Sequence, residues 1–453
     1  TRGVFPLLDR LNGTRIAGRL AELTAGERLA PHEIERRQRQ KARRAVEQAL
    51  AASPFYRDFV AASPAGPASA WPALDRLPLL TRAAIAAAGD AFPTPAWRGR
   101  ALAARTSGST GRPMTFHRTP EQESWFWALR FRIWGWSGYR PGDRYLTINL
   151  NARTQWKKRL QDRLFRCSYL TFNADNQDSA RIVEELTRHG IRHLNGFSSS
   201  LYVLARHMLD RGIPNPGVTG ITATGDTLYP PYRETIEAAF GVRVLDYYGA
   251  GGEGLHLASQ CPESGSRFHL HPENAVVEVL GDDGPAPAGT PGRVVVSQLD
   301  NEAMPLLRYE LGDVAVAAAA GLRCACGRSL PLLERIEGRL ADLVATPDGA
   351  HLVPHFFVVL FKNLHEVHRY QVVQERLDRL RFRLVPVAGA DRRQAEAAVA
   401  AALAGATRGT LSAEFEWVEE IPLSGAGNAG KRRLVISRLA GGGFTDGFTG
   451  TAR

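Results

Sequence analysis

IRHLNGFSSSLYVLARHMLDRGIPNPGVTGITATGDTLYPPYRETIEAAFGVRVLDYYG, residues 191–249, alternates short apolar runs with longer amphipathic stretches. IRHLNGF (191–197), GITATG (220–225) and VRVLDYYG (242–249) have the length and β-branched content of strands. SLYVLARHMLDRG (200–212) and YRETIEAAFG (232–241) have helical spacing and end on Gly. Strand–helix–strand alternation of this kind predicts an α/β sheet with parallel segments.

The same rhythm extends outward. Upstream, YLTINL (145–150) reads as a strand and RIVEELTRHG (181–190) as a helix. Downstream, AVVEVL (275–280) and GRVVVSQL (292–299) are separated by GDDGPAPAGTP and predict an antiparallel hairpin. After Gly338 the pattern restarts as a small α+β unit. Its strands are HRYQVVQE, LRFRLVPV and AEFEWVEEI, and its helix is AEAAVAAALAGA. The amino-terminal hundred residues read as helices. Over 32–62, Ile34, Ala42, Val46 and Leu50 recur at multiples of four, and Ser53-Pro54 stops the helix. A Pro/Ala linker covers 63–78, and the tail GGGFTDGFTGTAR reads as loose. The expected organisation is a large domain of mixed sheets and helices, residues 1–337, and a small mobile α+β domain, residues 338–453.

The segment with the most chemistry is Thr106-Ser107-Gly108-Ser109-Thr110-Gly111-Arg112-Pro113. Its two early glycines let the backbone turn tightly and bring N–H groups close to an anion; hydroxyls and Arg112 add donors and charge. Such a loop suits the phosphates of a nucleotide, although the Walker spacing is absent. A polar surface loop is the plainer reading of the same residues.

TSGSTGRP resembles the phosphate loop of adenylate-forming enzymes. SPFYRDF (53–59), TATGDTLYPPYRETIEAAFGVRVLDYYG (222–249), NEAMPLLRYELGDV (301–314) and CACGRSLPLLERIEGR (324–339) resemble the phenylacetate–CoA ligase branch and its capsule-biosynthesis relatives. The resemblance runs from about residue 30 to 438. It implies that a carboxylic acid attacks the α-phosphate of ATP, giving an acyl-adenylate and pyrophosphate, and that a second nucleophile then displaces AMP. The implied acceptor is a thiol, that of coenzyme A or of a carrier protein's phosphopantetheine.

The resemblance also implies roles. Thr106, Ser107, Gly108, Ser109, Thr110 and Gly111 hold phosphates; Gly225 and Asp226 line the adenine pocket; Tyr247 or Tyr248 stacks on the base or borders the acyl pocket, against a plainer reading of both as core. Glu253 organises Mg²⁺, for which a carboxylate beside a triphosphate is an apt ligand. Here YGAGGE replaces the usual Tyr-Gly-x-Thr-Glu. Asp313 binds the ribose hydroxyls, with Arg308 and Arg335 as neighbouring cations. Gly338-Arg339 is the interdomain hinge, with Ala341 where Asp is usual. Lys431 closes over the carboxylate and α-phosphate as a flexible point charge. Phe197, Ser198, Ser199 and Tyr248 fall where an aromatic acid would sit, whereas His193 reads as structural.

Four cysteines are too few for a disulfide framework, and a reducing cytoplasm is the default expectation. Cys261 and His269, with Cys324 and Cys326 in a Gly-rich turn, make a Cys₃His set suited to structural Zn²⁺. The resemblance supports the same set. His271 competes with His269 for the fourth place, buried free thiols are the alternative, and Cys167 reads as core.

Net charge is +11, which on its own suggests nucleic acid, an anionic surface or an acidic small molecule or protein. The Arg-rich 36–44 stretch reads as a solvated helix face more readily than an RNA site, and no nucleic-acid motif accompanies it. No apolar run is long enough to span a membrane. Gly249-Ala250-Gly251-Gly252-Glu253-Gly254 matches a dinucleotide fingerprint, but the following LHLASQCPESGS is too short and broken for the helix that fingerprint needs. The expectation is therefore an ATP-dependent, AMP-forming acid–thiol ligase for an aromatic acid. Transfer to an amine, or a non-catalytic relative, is the alternative.

Overall fold

The computed structural model describes residues 9, 13–62, 74–105, 114–149, 167–171, 176–340, 343–348, 351–352, 354–362, 364–421 and 434–439. Helices α1 (Ile16–Gly26), α2 (Pro31–Ala52) and α3 (Pro54–Ala61) come first. Pro31 and Pro54 each stand at a helix start, where a missing N–H is harmless. Ser53 ends α2 and caps α3. The buried stripe of α2 is Ile34, Ala42, Ala45, Val46 and Ala49; Leu50 is half-buried, because the interface tracks the helix's slow drift rather than a strict repeat of four. Arg36 and Arg37 pair with Glu33, Arg39 with Glu35 and Arg43 with Glu47, so the basic face is a solvated lattice of helix ion pairs.

Helix α4 (Arg82–Ala88) is capped by Thr81, whose hydroxyl accepts from Ala84 N at 3.1 Å. Strands β1 (Leu102–Arg105) and β2 (Thr115–Arg118) pair antiparallel on either side of residues 106–113. Helix α5 (Pro120–Trp136) follows, with Thr119 as its cap. It buries Trp125, Phe126, Leu129, Ile133, Trp134 and Trp136, so it is an interior helix rather than an amphipathic one.

Next come β3 (Tyr145–Asn149), β4 (Cys167–Thr171), α6 (Asn176–His189), β5 (His193–Phe197), α7 (Ser198–Asp210), β6 (Gly220–Thr224), α8 (Pro230–Phe240) and β7 (Val244–Ala250). Strands β4-β3-β5-β6-β7 lie side by side in that order, all parallel. This is the alternating unit expected from 145–249. Leu194, Leu201, Leu204, Met208, Ile221, Ile236 and Val244 join the strands and helices in one apolar core. Strands β8 (Leu255–Ser259) and β9 (Phe268–Leu270) continue the sheet antiparallel. The segment after Gly254 is thus a strand, which removes the dinucleotide fingerprint. Strands β10 (Ala275–Leu280) and β11 (Pro291–Gln298) are neighbours, as the hairpin reading expected; β12 (Tyr309–Ala317) and β13 (Leu332–Arg339) follow, and Leu332 pairs with His269.

The carboxy-terminal α+β unit has β14 (Val344–Ala345), β15 (His351–Leu352), α9 (Pro354–Lys362), β16 (Val367–Arg376), β17 (Arg379–Pro386), α10 (Arg392–Thr407), β18 (Ser412–Trp417) and β19 (Val435–Ser437). Its four-stranded sheet runs β18-β17-β16-β19. Phe357, Val372, Leu380, Phe382, Leu384, Val399 and Leu403 form its core. The chain divides into two compact units: Thr1–Glu278 with Val295–Leu311 and Ala318–Glu334, and Val279–Val294 with Gly312–Ala317 and Arg335–Arg453. The boundary expected at 337/338 falls within β13. Among the described residues, no helix is long and apolar enough to cross a membrane.

Candidate functional site

In open α/β sheets, ligands sit beyond the carboxyl ends of parallel strands. At those ends the chain places Phe197 as the last residue of β5 with Ser198-Ser199 following, Gly225-Asp226 after β6, and Tyr248 on β7. Gly225 has φ +83, and a Cβ there would lie 2.4 Å from Phe197 Cε1, so the close approach requires glycine. Asp226 caps α7: its carboxylate accepts from Ser198 N at 2.6 Å and Ser199 N at 3.2 Å. A carboxylate at a helix N-terminus satisfies otherwise orphaned donors and meets the positive end of the helix dipole. Asp226 therefore shapes this rim through the backbone that it holds.

Tyr247 and Tyr248 point to opposite faces of β7. Tyr247 is only 2% exposed, donates its hydroxyl to Asn195 Oδ1 at 3.1 Å, and packs in an aromatic group with Trp134, Tyr139 and Tyr145. Its burial leaves no face for a base, whereas Tyr248 is half-buried. His193 sits in the same core beside Ser137 and Thr222; burial holds its ring neutral, with a pKa lowered to about 3. It is structural, as read from the sequence.

The β7–β8 turn carries Glu253, which is buried. Gln298 Nε2 donates to Glu253 O and Gln122 Nε2 to Gly254 O, each at 2.7 Å. Asn301 bonds to Gln298 Oε1 and to the carbonyls of His117 and Met304. The turn thus rests on buried amide side chains drawn from two distant segments, Gln122 on α5 and Gln298 with Asn301. Sequence reading missed them, because isolated Gln and Asn carry no spacing signal. Arg308 is also engaged structurally: its guanidinium donates to Asp75 O, Leu77 O and Glu278.

In the second unit Asp313 lies on β12, and Arg339 Nε is 3.7 Å from its Oδ1. Arg335 pairs with Glu337 on the same strand. Gly338, between Glu337 and Arg339, adopts φ +116, a left-handed conformation that favours glycine. Thr106, Ser107, Gly108, Ser109, Thr110, Gly111, Ala341 and Lys431 lie outside the described residues.

Cys261, His269, Cys324 and Cys326 converge, with all four potential ligand atoms within 4.8 Å of one another. Cys261 Sγ is 3.6 Å from Cys324 Sγ, and Cys326 Sγ is 3.5 Å from His269 Nε2. A tetrahedral Zn²⁺ with bonds of about 2.3 Å to sulfur and 2.0–2.1 Å to nitrogen needs edges of about 3.8 and 3.6 Å. The donor set and its spacing therefore fit. Burial pushes the Cys261 thiol up, as two neighbouring cysteines do, and burial also lowers His269 to about 4, the neutral form a ligand needs. Burial opposes ionisation of Cys326 too, but the Arg328 backbone N–H, 3.4 Å from Sγ, helps bring that thiol below its usual range. His271 is excluded from the set. Its Nδ1 faces Arg132 Nη2 at 2.6 Å and its Nε2 faces Ser259 Oγ at 3.1 Å.

No family model matches the chain. A 148-residue stretch is 31% identical to phenylacetate–coenzyme A ligase of Thermus thermophilus, covering 32% of this chain. The match spans 33% of that relative's length. Among solved structures, 2-hydroxyisobutyryl-CoA ligase in the postadenylation state superposes with TM-score 0.72 at 20% identity, covering 91% of each chain. An amide bond synthetase from Marinactinospora thermotolerans superposes with TM-score 0.51 at 18% identity, covering 72% of this chain and 67% of that one. The chain therefore has the fold of the adenylate-forming ligases and is similar in sequence, across 32% of its length, to a phenylacetate–CoA ligase.

Proposed function

We propose that this protein is an AMP-forming acid–thiol ligase, which activates a carboxylic acid with ATP and passes the acyl group to coenzyme A. The observation that carries the reading is the likeness over 91% of each chain to a CoA ligase whose structure contains an acyl-adenylate, joined to the 31% identity with a phenylacetate–CoA ligase. The rim formed by Phe197, Gly225 and Tyr248 would take the adenylate. Asp226 would act by fixing the Ser198–Ser199 backbone. Asp313 would hold the ribose, and residues 106–111 and Lys431 the phosphates. Glu253 would ligate Mg²⁺, which when bound neutralises phosphate charge. Cys261, His269, Cys324 and Cys326 would hold a structural Zn²⁺, which ties the β8–β9 region to the 324–326 turn.

The acid is proposed to be aromatic, and the compartment a reducing one such as the cytoplasm, where a Cys₃His site keeps its thiolates. A carrier-protein phosphopantetheine offers the same thiol chemistry as coenzyme A. Ala341, at the position where the hinge usually has Asp, favours a second reading in which an amine accepts the acyl group. The test is pyrophosphate release over a panel of aryl, arylacetic and fatty acids, followed by coenzyme A, carrier protein and amines offered side by side. Acid-dependent release and thioester formation support the ligase. Amide formation without thioester would move the assignment to the second reading.

A further inference from the structure

Beneath the β7–β8 turn lies a group of cationic and donor side chains that the adenylation chemistry leaves unused. Arg118, at the end of β2, runs along the turn so closely that a Cβ on Gly254 would lie 2.3 Å from its Cδ. Its Nε and Nη1 are buried without a hydrogen-bond partner. Glu123 Oε2 is 3.0 Å from Nη1, but the pair is not aligned as a hydrogen bond, and that oxygen too is unsatisfied. His256 is 3% exposed, and its Nε2 likewise has no hydrogen-bond partner. Its ring stacks on Phe126, with centroids 4.3 Å apart, and meets Tyr247 edge-on. The Arg118 and Arg130 guanidinium groups lie 5.2 and 5.0 Å from the centre of that same Phe126 ring. Both arginines disfavour a charged His256, after burial itself.

Buried donors without acceptors are costly and rare in folded proteins. Two such atoms, on Arg118 at the end of β2, and the unsatisfied Nε2 of the neutral His256 ring on β8 lie beside an aromatic face and against the turn that carries Glu253. A hydrophobic acid pocket has no use for them. They match a ligand that brings its own acceptor oxygens and negative charge.

We propose that the acid activated here carries a second anionic group, held by Arg118 and His256 with Arg130 beside them, at the end of the molecule away from the carboxylate that is adenylated. This rests on the ligase reading above and names its substrate class: diacids, or acids bearing a phosphate or sulfonate. Recognition of this kind discriminates strongly, because a mono-acid leaves the Arg118 donors with no acceptor beyond the misaligned Glu123 carboxylate.

The test is acid-dependent pyrophosphate release with matched pairs, such as benzoate against isophthalate and phenylacetate against phenylenediacetate, in wild type, Arg118→Gln and Arg130→Gln. The expected result is a diacid preference in kcat/KM of about tenfold or more, lost in Arg118→Gln through a raised acid KM while the KM for ATP stays put. Arg130→Gln, which keeps the Arg118–Glu123 pair, should weaken the preference in the same direction. Thermal midpoints of both variants confirm folding. Release with mono-acids at equal or higher kcat/KM overturns this inference and leaves the ligase reading intact. A raised KM for ATP in Arg118→Gln also overturns it, by making the cluster a phosphate site. Absence of release with every acid overturns the ligase reading, and this one with it.

Discussion

Asp226 Oδ1 accepts the Ser198 backbone N–H at 2.6 Å, and Ser198 Oγ donates back to Asp226 O at 3.0 Å. This reciprocal contact locks the end of β6 to the start of α7. It sets the spacing between Phe197 and Gly225, the two walls that nearly touch. In Asp226→Ala the cap is lost, and stability should fall by about 1 kcal/mol, up to about 2. Asp226→Asn keeps an acceptor oxygen and should lose less. Urea denaturation of the three proteins checks this order, and equal stability of Asp226→Ala and wild type would refute the cap.

The Cys₃His group makes a prediction that needs no activity. Protein purified from zinc-supplemented cells should contain about one equivalent of zinc. Cys324→Ser should reduce that content and lower the thermal midpoint, and a strong chelator should lower the midpoint of wild type but not of the variant. His271→Ala should keep the metal, since that ring is committed to Arg132 and Ser259. Metal-free protein with a chelator-insensitive midpoint would contradict the assignment.

His193 supplies a pH prediction. Its folded pKa, lowered to about 3 by burial, lies below the ordinary value of 6.5. The unfolded chain therefore binds this proton first as pH falls. The stability that the neutral ring contributes is complete above pH 6.5 and is lost progressively down to pH 3. Between pH 7 and pH 5 the loss from this one group is about 2 kcal/mol. His193→Gln should remove that part of the acid sensitivity, measured as the difference in unfolding free energy at the two pH values. An unchanged difference would show that the ring is not held neutral.

The sequence showed the alternating core best. Each strand and helix read between 191 and 249 is present, because apolar runs bounded by Gly and Pro are local signals. The Cys₃His group was legible as residue types, but what separates His269 from His271 is Arg132, more than a hundred residues away. Asp226 shows a different limit. A carboxylate after a strand is equally suited to a ligand or to a helix cap, and the distinction lies in the placement of α7, whose start is 28 residues upstream. Tyr247 and Tyr248 differ by one position, and the strand's alternation sends one to the core. Gln122, Gln298, Asn301 and the Arg118–His256 group were invisible, since their meaning is wholly tertiary.

Formation of an acyl-adenylate is the step on which the proposed function stands. Its most direct measurement is acid-dependent exchange of labelled pyrophosphate into ATP, with no acceptor present, in wild type and in Lys431→Ala. Exchange is expected with at least one carboxylic acid in wild type, and its loss in Lys431→Ala at unchanged thermal midpoint. Absence of exchange across mono- and diacids would contradict adenylation, and exchange that survives intact in Lys431→Ala would contradict the role given to that lysine.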